Sequence, residues 1–515
     1  MKYQISKPIH FPLSEEQVKP ANAIWSGQSA CVDAGPGTGK SHTMRAIVKN
    51  YNGNVQSIPF GRALADEEIA CYADFGHVTS LNFHRRGVRL CGKVNVAANK
   101  LQTLALAMEG VMEDDEGEEI NRVSLAEFTG KLKVEGVGTY KDALAPAEIA
   151  TKYGYKACLV PHGIKLLALS DAQTDVVDFD DMLRFPVLQH RTEWVTGLAA
   201  LDEVQDYTPH AFEFLTKCLV KKGTQILMIG DVDQTLQGFA GATPALIRIM
   251  AEYYGCEQFQ LTVNRRCAQS IVRNAPRMTK AMQALPDAPE GTVGVKSQTE
   301  VFDSITAGGF KNDAIISEAN APLVMFGLSL LIKGVPVQMR TARLEKLIYR
   351  YCPFALLDQR KVALGQVAGL VRKRLAEEAM ESGEVSEEGR DVANAIESLE
   401  SYCIAKGILK PQWVRNGRSV RPKHPIFQAL DALCNGKVGI TLLTGHTAKG
   451  LEWDTVFHLP GKMKAPEQDW QVHQAACLDY VIKTRARLNH FTLDTPDSGG
   501  DDGESEALEC ESCHS

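Results

Sequence analysis

The chain has no uninterrupted apolar run approaching the roughly 18 residues that span a bilayer. Its opening MKYQISKPIHFPLS lacks a signal-peptide apolar region. A membrane-spanning or exported protein is therefore not expected, and the expected location is the cytoplasm. Repeated cysteine spacing is also missing: the 13 cysteines are odd in number and scattered, which fits reduced thiols better than a disulfide framework. There is no excess of positive charge either, the formal net charge being -7. This removes the global basic signature of small DNA-binding domains, but not nucleic acid as a partner, because a local basic groove is enough for phosphate contacts. Two clusters are candidates, HRRGVRLCGK (His84 to Lys93) and RNGRSVRPKH (Arg415 to His424), although most such clusters are solvated surface. No short-period internal repeat is visible.

What is present is the bulk of an ordinary globular protein. The 515 residues, 44% hydrophobic and 23% charged, suffice for three or four domains with ample core. The most informative stretch is AGPGTGKSHTM, Ala34 to Met44. An apolar piece (Ala30 to Val32) precedes it and a helical pattern follows. A glycine-rich turn between strand and helix offers bare backbone N–H groups to an anion. As a P-loop, the span Ala34, Gly35, Pro36, Gly37, Thr38, Gly39, Lys40, Ser41 and His42 would hold a nucleoside triphosphate. Lys40 would reach the β- and γ-phosphates and Ser41 would ligate Mg²⁺. The strict pattern begins with Gly, where this chain has Ala34.

The first ninety residues alternate apolar runs with helical patterns, as in a parallel α/β domain. From about 93 to 175 the text becomes helical, with an acidic loop EDDEGEE. The α/β pattern returns over 176–259 with WVTGLAALDEVQD and QILMIGDVDQ, apolar strands ending in acids. Ligands in open α/β sheets bind at such strand ends. A second α/β segment is expected over 260–350 and 431–495, interrupted at 351–430 by a charged helical insertion. The last stretch, 496–515, is acidic and expected to be disordered.

A P-loop needs a carboxylate on a neighbouring strand. LDEVQD supplies Asp202 for the metal shell and Glu203 to orient and deprotonate the attacking water. Downstream, GDVDQTLQGFAGA (Gly230 to Ala242) puts an acidic pair, a glutamine and an aromatic on one turn. An ATPase also needs positive charge over its transition state, worth about 10³–10⁵ in rate. Arg266 and Arg485 lie outside the P-loop segment and would supply it only when two domains close, so that nucleotide state would set domain geometry.

In this order the motifs resemble those of the superfamily 1A DNA helicases of the UvrD/Rep/PcrA type, from about Leu13 to Leu493. FPLSEEQ is similar to the family's Q motif, and the resemblance implies that Gln17 reads adenine. LDEVQD resembles motif II and GDVDQTLQGFAGA motif III, implying a coupling role for Gln234. NRRC stands where the family has NYRS, so Arg266 inherits the first arginine-finger role. TGHTAKGLEW resembles motif V, implying that Glu452 lies near the ribose and Thr444 and His446 near DNA. YVIKTRAR resembles motif VI, with Arg485 as the second finger. DFDDM (Asp178 to Met182) resembles a stretch preceding motif II.

The implied fold is α/β, two RecA-like P-loop NTPase domains with mostly helical insertions. The implied cofactors are ATP and Mg²⁺, and the implied partners single-stranded DNA and its junctions with duplex. The implied activity is an ATP-dependent DNA helicase translocating 3′ to 5′. The departures fall on the DNA side. Gln237 stands for the usual Tyr and Ala240 for the usual Arg, leaving Phe239 as the expected base-stacking residue. Arg62 stands near the usual lysine of motif Ia. TSLNFHRR keeps Thr79 and Phe83 of the next motif but has Leu81 for His, and SEANAPL has Glu318 for an arginine. The interval at 351–430 is short, implying a reduced 2B subdomain. Two alternatives stay open, a single-strand translocase that unwinds little and an ATP-gated assembly factor recruiting a protein partner through the acidic tail; a P-loop kinase would need neither motif V nor Arg485. CESCH (Cys510, Cys513, His514) fits a haem-attachment pattern only with export, and offers three of the four ligands zinc takes.

Overall fold

A computed structural model describes residues 12–494 apart from 60–61, 110–111, 113–118, 276–280, 341, 353–362, 383–386, 411, 417–418, 435–438, 462–465 and 467. The acidic tail and its Cys510, Cys513 and His514 therefore lie outside the described residues. So do most side chains of the Arg415–His424 cluster, whose backbone forms the hairpin Gln412–Asn416/Ser419–Lys423.

Two six-stranded sheets organise the chain. The first runs in the order Val78–Ser80, Val55–Ser57, Leu198–Leu201, Ile226–Gly230, Ala30–Ala34, Glu257–Leu261, every pairing parallel. Its last strand ends at Leu261, just past the boundary expected at 259. The second sheet runs Thr292–Ser297, Ala486–Asp494, Trp453–His458, Asp313–Ser317, Ile440–Thr444, Val337–Met339, again all parallel.

Strands covered on both faces read as continuous apolar runs, and LAAL and ILMIG do so. Alternation still divides them. Leu198, Ala200, Leu227 and Ile229 enter one apolar cluster, while Ala199, Leu201, Ile226 and Met228 enter the other. The period of two sends neighbours to opposite faces. The second sheet behaves alike, with Ile315, Ile440 and Leu442 on one face and Ala314, Ile316 and Leu443 on the other.

The helices of 93–175 (Lys100–Ala107, Arg122–Val134, Pro146–Tyr153 and Leu159–Ala172) leave the first domain through a two-strand neck, Asn95–Val96 paired with Val176–Val177. They build a core of their own from Leu101, Leu125, Phe128, Leu132, Ile149 and Leu166. Gly163 permits a close approach of two of them: a Cβ there would lie 2.6 Å from the Phe128 ring. Buried charges hold this body to the first domain. Lys133 Nζ bonds Asp178 and Asp181, each at 2.6 Å, and Lys100 Nζ bonds Asp181 at 2.7 Å. The DFDDM stretch thus supplies the anionic half of a joint.

The second insertion is built differently. Its helices Val367–Ser382 and Glu387–Ala405 put Val371, Leu375, Val392, Ile396 and Leu399 into the same core as Val324, Leu330, Val337 and Leu442 of the second domain. The stretch expected as an inserted subdomain at 351–430 is fused to its domain through that shared core. Asp391 strengthens the seam by accepting the backbone N–H groups of Asn320 and Ala321, at the start of the helix Asn320–Ile332. Ala319 at that helix's cap position makes no side-chain cap bond, so a distant carboxylate does the capping.

Candidate functional site

The P-loop turns after the strand Ala30–Ala34 and ends in the helix Lys40–Lys49. Gly37 and Gly39 have φ of +67° and +93°, which side chains rarely adopt. A Cβ on Gly39 would also strike Gln17 Nε2 at 2.5 Å, and one on Gly37 would strike Arg266 Cβ at 2.6 Å. Gln17 is pinned beside the loop by donating to Thr38 O (3.2 Å). Thr38 stiffens the turn by donating to Gly35 O (2.8 Å), and His42 Nε2 lies 3.2 Å from Pro12 O. Lys40 Nζ donates to Ala34 O (3.2 Å) and lies 3.9 Å from Asp231.

The acidic groups stand at neighbouring strand ends. Asp202 is buried, and burial together with Glu203 beside it raises its carboxyl to about 7. Glu203 sits in the left-handed region, φ 52°. Burial alone would raise its carboxyl, but Lys449 and Lys40 outweigh that and hold it at about 2. Glu203 is therefore a carboxylate at neutral pH, poised to accept a hydrogen bond or a proton. Gln205 ties the motifs together: its Nε2 donates to Glu203 and its Oε1 accepts the N–H of Asp231. Asp231 in turn accepts from Gln234 Nε2 at 2.6 Å.

The second domain faces this wall across a cleft of about 400 Å³. Gly35, Pro36, Gly37, Gly39, Lys40, Ser41, His42, Glu203 and Gln234 line one side; Arg265 and Arg266 follow the first sheet, and Gly450, Glu452, Arg485 and Arg487 come from the second domain. Arg266 and Arg485, separated by more than 200 positions in the chain, meet here. Glu452 pairs with Arg266 at 2.5 Å and with Arg487 at 3.9 Å. Arg266 Nη1 is buried without a hydrogen-bond partner, an open donor on an anion-sized site. Arg485 is buried, its Nε donating to Val481 O (2.9 Å). Burial and Arg266 lower it to about 10, which leaves it charged.

The set fits Mg-ATP chemically. Backbone N–H groups, Lys40 and the two arginines suit a polyphosphate, and the Ser41 hydroxyl with a carboxylate at Asp202 suits a hard cation. Reading the sequence missed Lys449, which reaches across from the second domain to Asp206 (2.8 Å) and Glu203 (3.4 Å). It also passed over Arg265, Arg487 and Gln205. The only signal for these was their place inside quoted motifs.

The residues expected to meet DNA are spread over the carboxyl ends of both sheets. Thr79 is exposed on the edge strand Val78–Ser80. Phe239, 40% exposed, follows the strand Ile226–Gly230. Thr444 ends the strand Ile440–Thr444 and bonds Thr447 at 3.0 Å, with half-buried His446 one turn away. Arg62 opens the helix Arg62–Tyr72, and its side chain lies outside the described residues. Phe83 is a correction. It is fully buried, edge-on to Tyr207 at 4.9 Å and beside Phe214, because its place at the start of the helix Phe83–Cys91 points it into the apolar cluster under the sheet. It is a core residue with no surface to offer DNA. Glu318 is likewise occupied, 2.6 Å from His458 Nε2 and accepting the Gly461 N–H; although burial raises its carboxyl, these bonds lower it on balance.

A P-loop cradle, paired acids on adjacent strands and arginines beside and within a second parallel sheet thus line one cleft between two parallel α/β domains, with the chemistry an NTP would need. A family described as an AAA domain matches residues 17–240. The ATP-dependent DNA helicase Rep of Salmonella typhimurium is 26% identical over 178 residues, 32% of this chain and 25% of that protein. Its Escherichia coli namesake is 26% identical over 188 residues, 34% and 26% respectively. The aligned part thus spans about a quarter of those relatives. Among solved structures, the arterivirus nonstructural protein 10 helicase aligns over 93% of this chain and 61% of its own at 9% identity, with a TM-score of 0.34. Its complex with DNA gives 94%, 64%, 10% and 0.33. By sequence, residues 17–240 are thus similar to an AAA domain, and about a third of the chain is similar to part of the Rep helicases.

Proposed function

We propose that this protein is an ATP-driven DNA helicase that moves along single-stranded DNA, 3′ to 5′. The observation that carries the reading is the placing of Arg266 and Arg485 opposite Lys40 and Glu203 in one cleft. Arg485 belongs to the second domain, so the charge needed over the transition state is complete only when the domains are closed.

In this reading the P-loop N–H groups and Lys40 hold the phosphates, while Ser41 and Asp202 hold Mg²⁺. When bound, Mg²⁺ neutralises charge on the β- and γ-phosphates. Glu203, kept ionised by Lys449 and Lys40, orients the attacking water and takes its proton. Arg266 and Arg485 stabilise charge on the transferring phosphoryl group. Glu452, which holds Arg266 in the structure, turns to the ribose, and Gln17 reads the adenine. Thr79, Phe239, Thr444 and His446 lie along the strand ends where a single strand would cross both domains, with Phe239 free to stack a base.

The deciding experiment is the steady-state ATPase rate of wild type and Glu203→Gln, with and without single-stranded DNA. DNA should stimulate the wild type strongly, and the variant should bind ATP but turn over at least ~10³-fold more slowly, within the range ascribed to base catalysis. Near-normal turnover in Glu203→Gln would refute the base assignment, and indifference to DNA would refute the motor. A second reading is favoured by the fused second insertion: a translocase that displaces bound proteins and unwinds little. Forked-duplex unwinding measured beside protein displacement separates the two.

A further inference from the structure

Away from the nucleotide cleft, three bodies meet at one indole ring. Trp470 lies at the start of the helix Asp469–Lys483 of the second domain. Its Nε1–H donates to Lys152 O of the first insertion at 2.9 Å. Its ring lies 5.9 Å from that of Tyr153, and its Cε3 would stand 3.3 Å from a Cβ on Gly238. One turn further, Gln474 Oε1 accepts the N–H of Phe239 at 3.2 Å. From the other side, Lys131 Nζ donates to Phe239 O at 2.5 Å. Gly241 completes the fit, since a Cβ there would touch Val134 and Glu135 at 3.4 and 3.5 Å. The Gly238–Ala240 turn is thus clasped between the insertion and the helix. Glu135 holds the insertion's half of the clasp by accepting from Lys152 Nζ (2.6 Å) and Tyr153 OH (2.5 Å).

Each body leads to a catalytic group. The clasped turn begins four residues after Gln234. The helix is 15 residues long, about 22 Å, and Arg485 follows two residues beyond its end. We propose that Trp470 is a positioning residue: its joint with Lys152 and Gly238 sets, through this rigid helix, where Arg485 stands, so that a strand lying on Phe239 is felt at the phosphates. The joint turns on one bond that is either made or broken, Trp470 Nε1–H to Lys152 O, and an element of that kind is what coupling between sites requires. This rests on the single-strand reading above, since that reading places the strand at Phe239. It also accounts for the glycines of this turn: a side chain on Gly238 would press on Trp470 and Gln474, and one on Gly241 on Val134 and Glu135.

The test compares wild type, Trp470→Ala and Trp470→Phe in steady-state ATPase with and without oligo(dT), read as the ratio of stimulated to unstimulated rate. That ratio is unmoved by a loss of folded protein. Trp470→Ala should lower it at least about fivefold, the lower end of ordinary coupling, with KM for ATP within about twofold of wild type. Trp470→Phe keeps an aromatic ring against Tyr153 but not the N–H to Lys152 O, and should give a ratio between those of Trp470→Ala and wild type. A wild-type ratio in Trp470→Ala overturns the proposal. If oligo(dT) does not stimulate the wild type, the DNA-motor reading fails, and the joint is decided by hydrogen exchange. A non-hydrolysable ATP analogue should then slow exchange in 146–153 and 238–241 of the wild type and not of Trp470→Ala; equal protection in both overturns it.

Discussion

The helical insertion after residue 92 gathers most of its buried apolar side chains into a core of its own, Tyr140 against Phe212 being an exception, whereas the one after residue 350 contributes them to the core of its parent domain. The first meets its domain through buried ions, Lys100 and Lys133 on Asp178 and Asp181 at the start of the helix Asp181–Leu188. The second meets it through Val392, Ile396, Leu399 and the capping Asp391. Ions taken out of water tolerate no loosening, because a separated pair is left unpaired in a medium that penalises charge. An apolar seam has no single point of failure but cannot slide without exposing surface. The difference therefore teaches where motion is to be sought: in the first insertion, which shares no large apolar seam with its domain and whose far end meets Trp470 and Phe239 through single polar contacts.

The comparison breaks most sharply at Asp181. Asp181→Ala leaves two buried ammonium groups short of a partner and should cost about 3–5 kcal/mol, read by urea denaturation, with proteolytic cleavage appearing near the neck at 93–100 and 173–181. Two leucine truncations should then separate the insertions by extent. Leu399→Ala and Leu132→Ala each remove a buried side chain, at about 2–5 kcal/mol. By hydrogen exchange, Leu399→Ala should loosen the strands Asp313–Ser317 and Ile440–Thr444 together with the insertion, while Leu132→Ala should loosen 100–172 alone. A purely local effect of Leu399→Ala would show that the second insertion is an independent body after all.

The polar joint should also answer to acid. His210 packs against it, its Nε2 2.9 Å from Asp180 O, and burial lowers its ring to about 4. The unfolded chain, near the ordinary 6.5, binds that proton first, so His210's own contribution to stability is full above about 6.5 and is lost as pH falls through the window toward 4, while Asp180, raised to about 7 by burial, works in the opposite direction. His210→Gln should remove about 1–3 kcal/mol of that acid-side slope, measured as urea midpoints from pH 7 to 4. The smallest effect is expected at Asp391, a polar stitch in the apolar seam. Asp391→Ala should cost about 0.5–2 kcal/mol, as loss of a helix cap does, visible as faster exchange in the first turn of Asn320–Ile332.

Much of the nucleotide site was legible because its chemistry is local. The backbone of AGPGTGKS, the acids of LDEVQD and the strands that carry them are each set by a few adjacent residues. The DNA side was less so. Phe83 fitted a motif in a line of text, but its side chain faces an apolar cluster that no line of text displays. Lys449 stood in plain view within TGHTAKGLEW, and only the closing of one domain on the other brought it to Glu203.

From the sequence alone followed the α/β class, the P-loop and the order of acids and arginines, since alternating apolar runs and glycine turns express their structure within a window of about ten residues. The tertiary structure decided which helices own their core and which share one, that Glu203 stays ionised, and that Trp470 stands between Lys152 and Gly238. These depend on which surfaces meet across hundreds of residues, and on how burial there weighs charge against its partners.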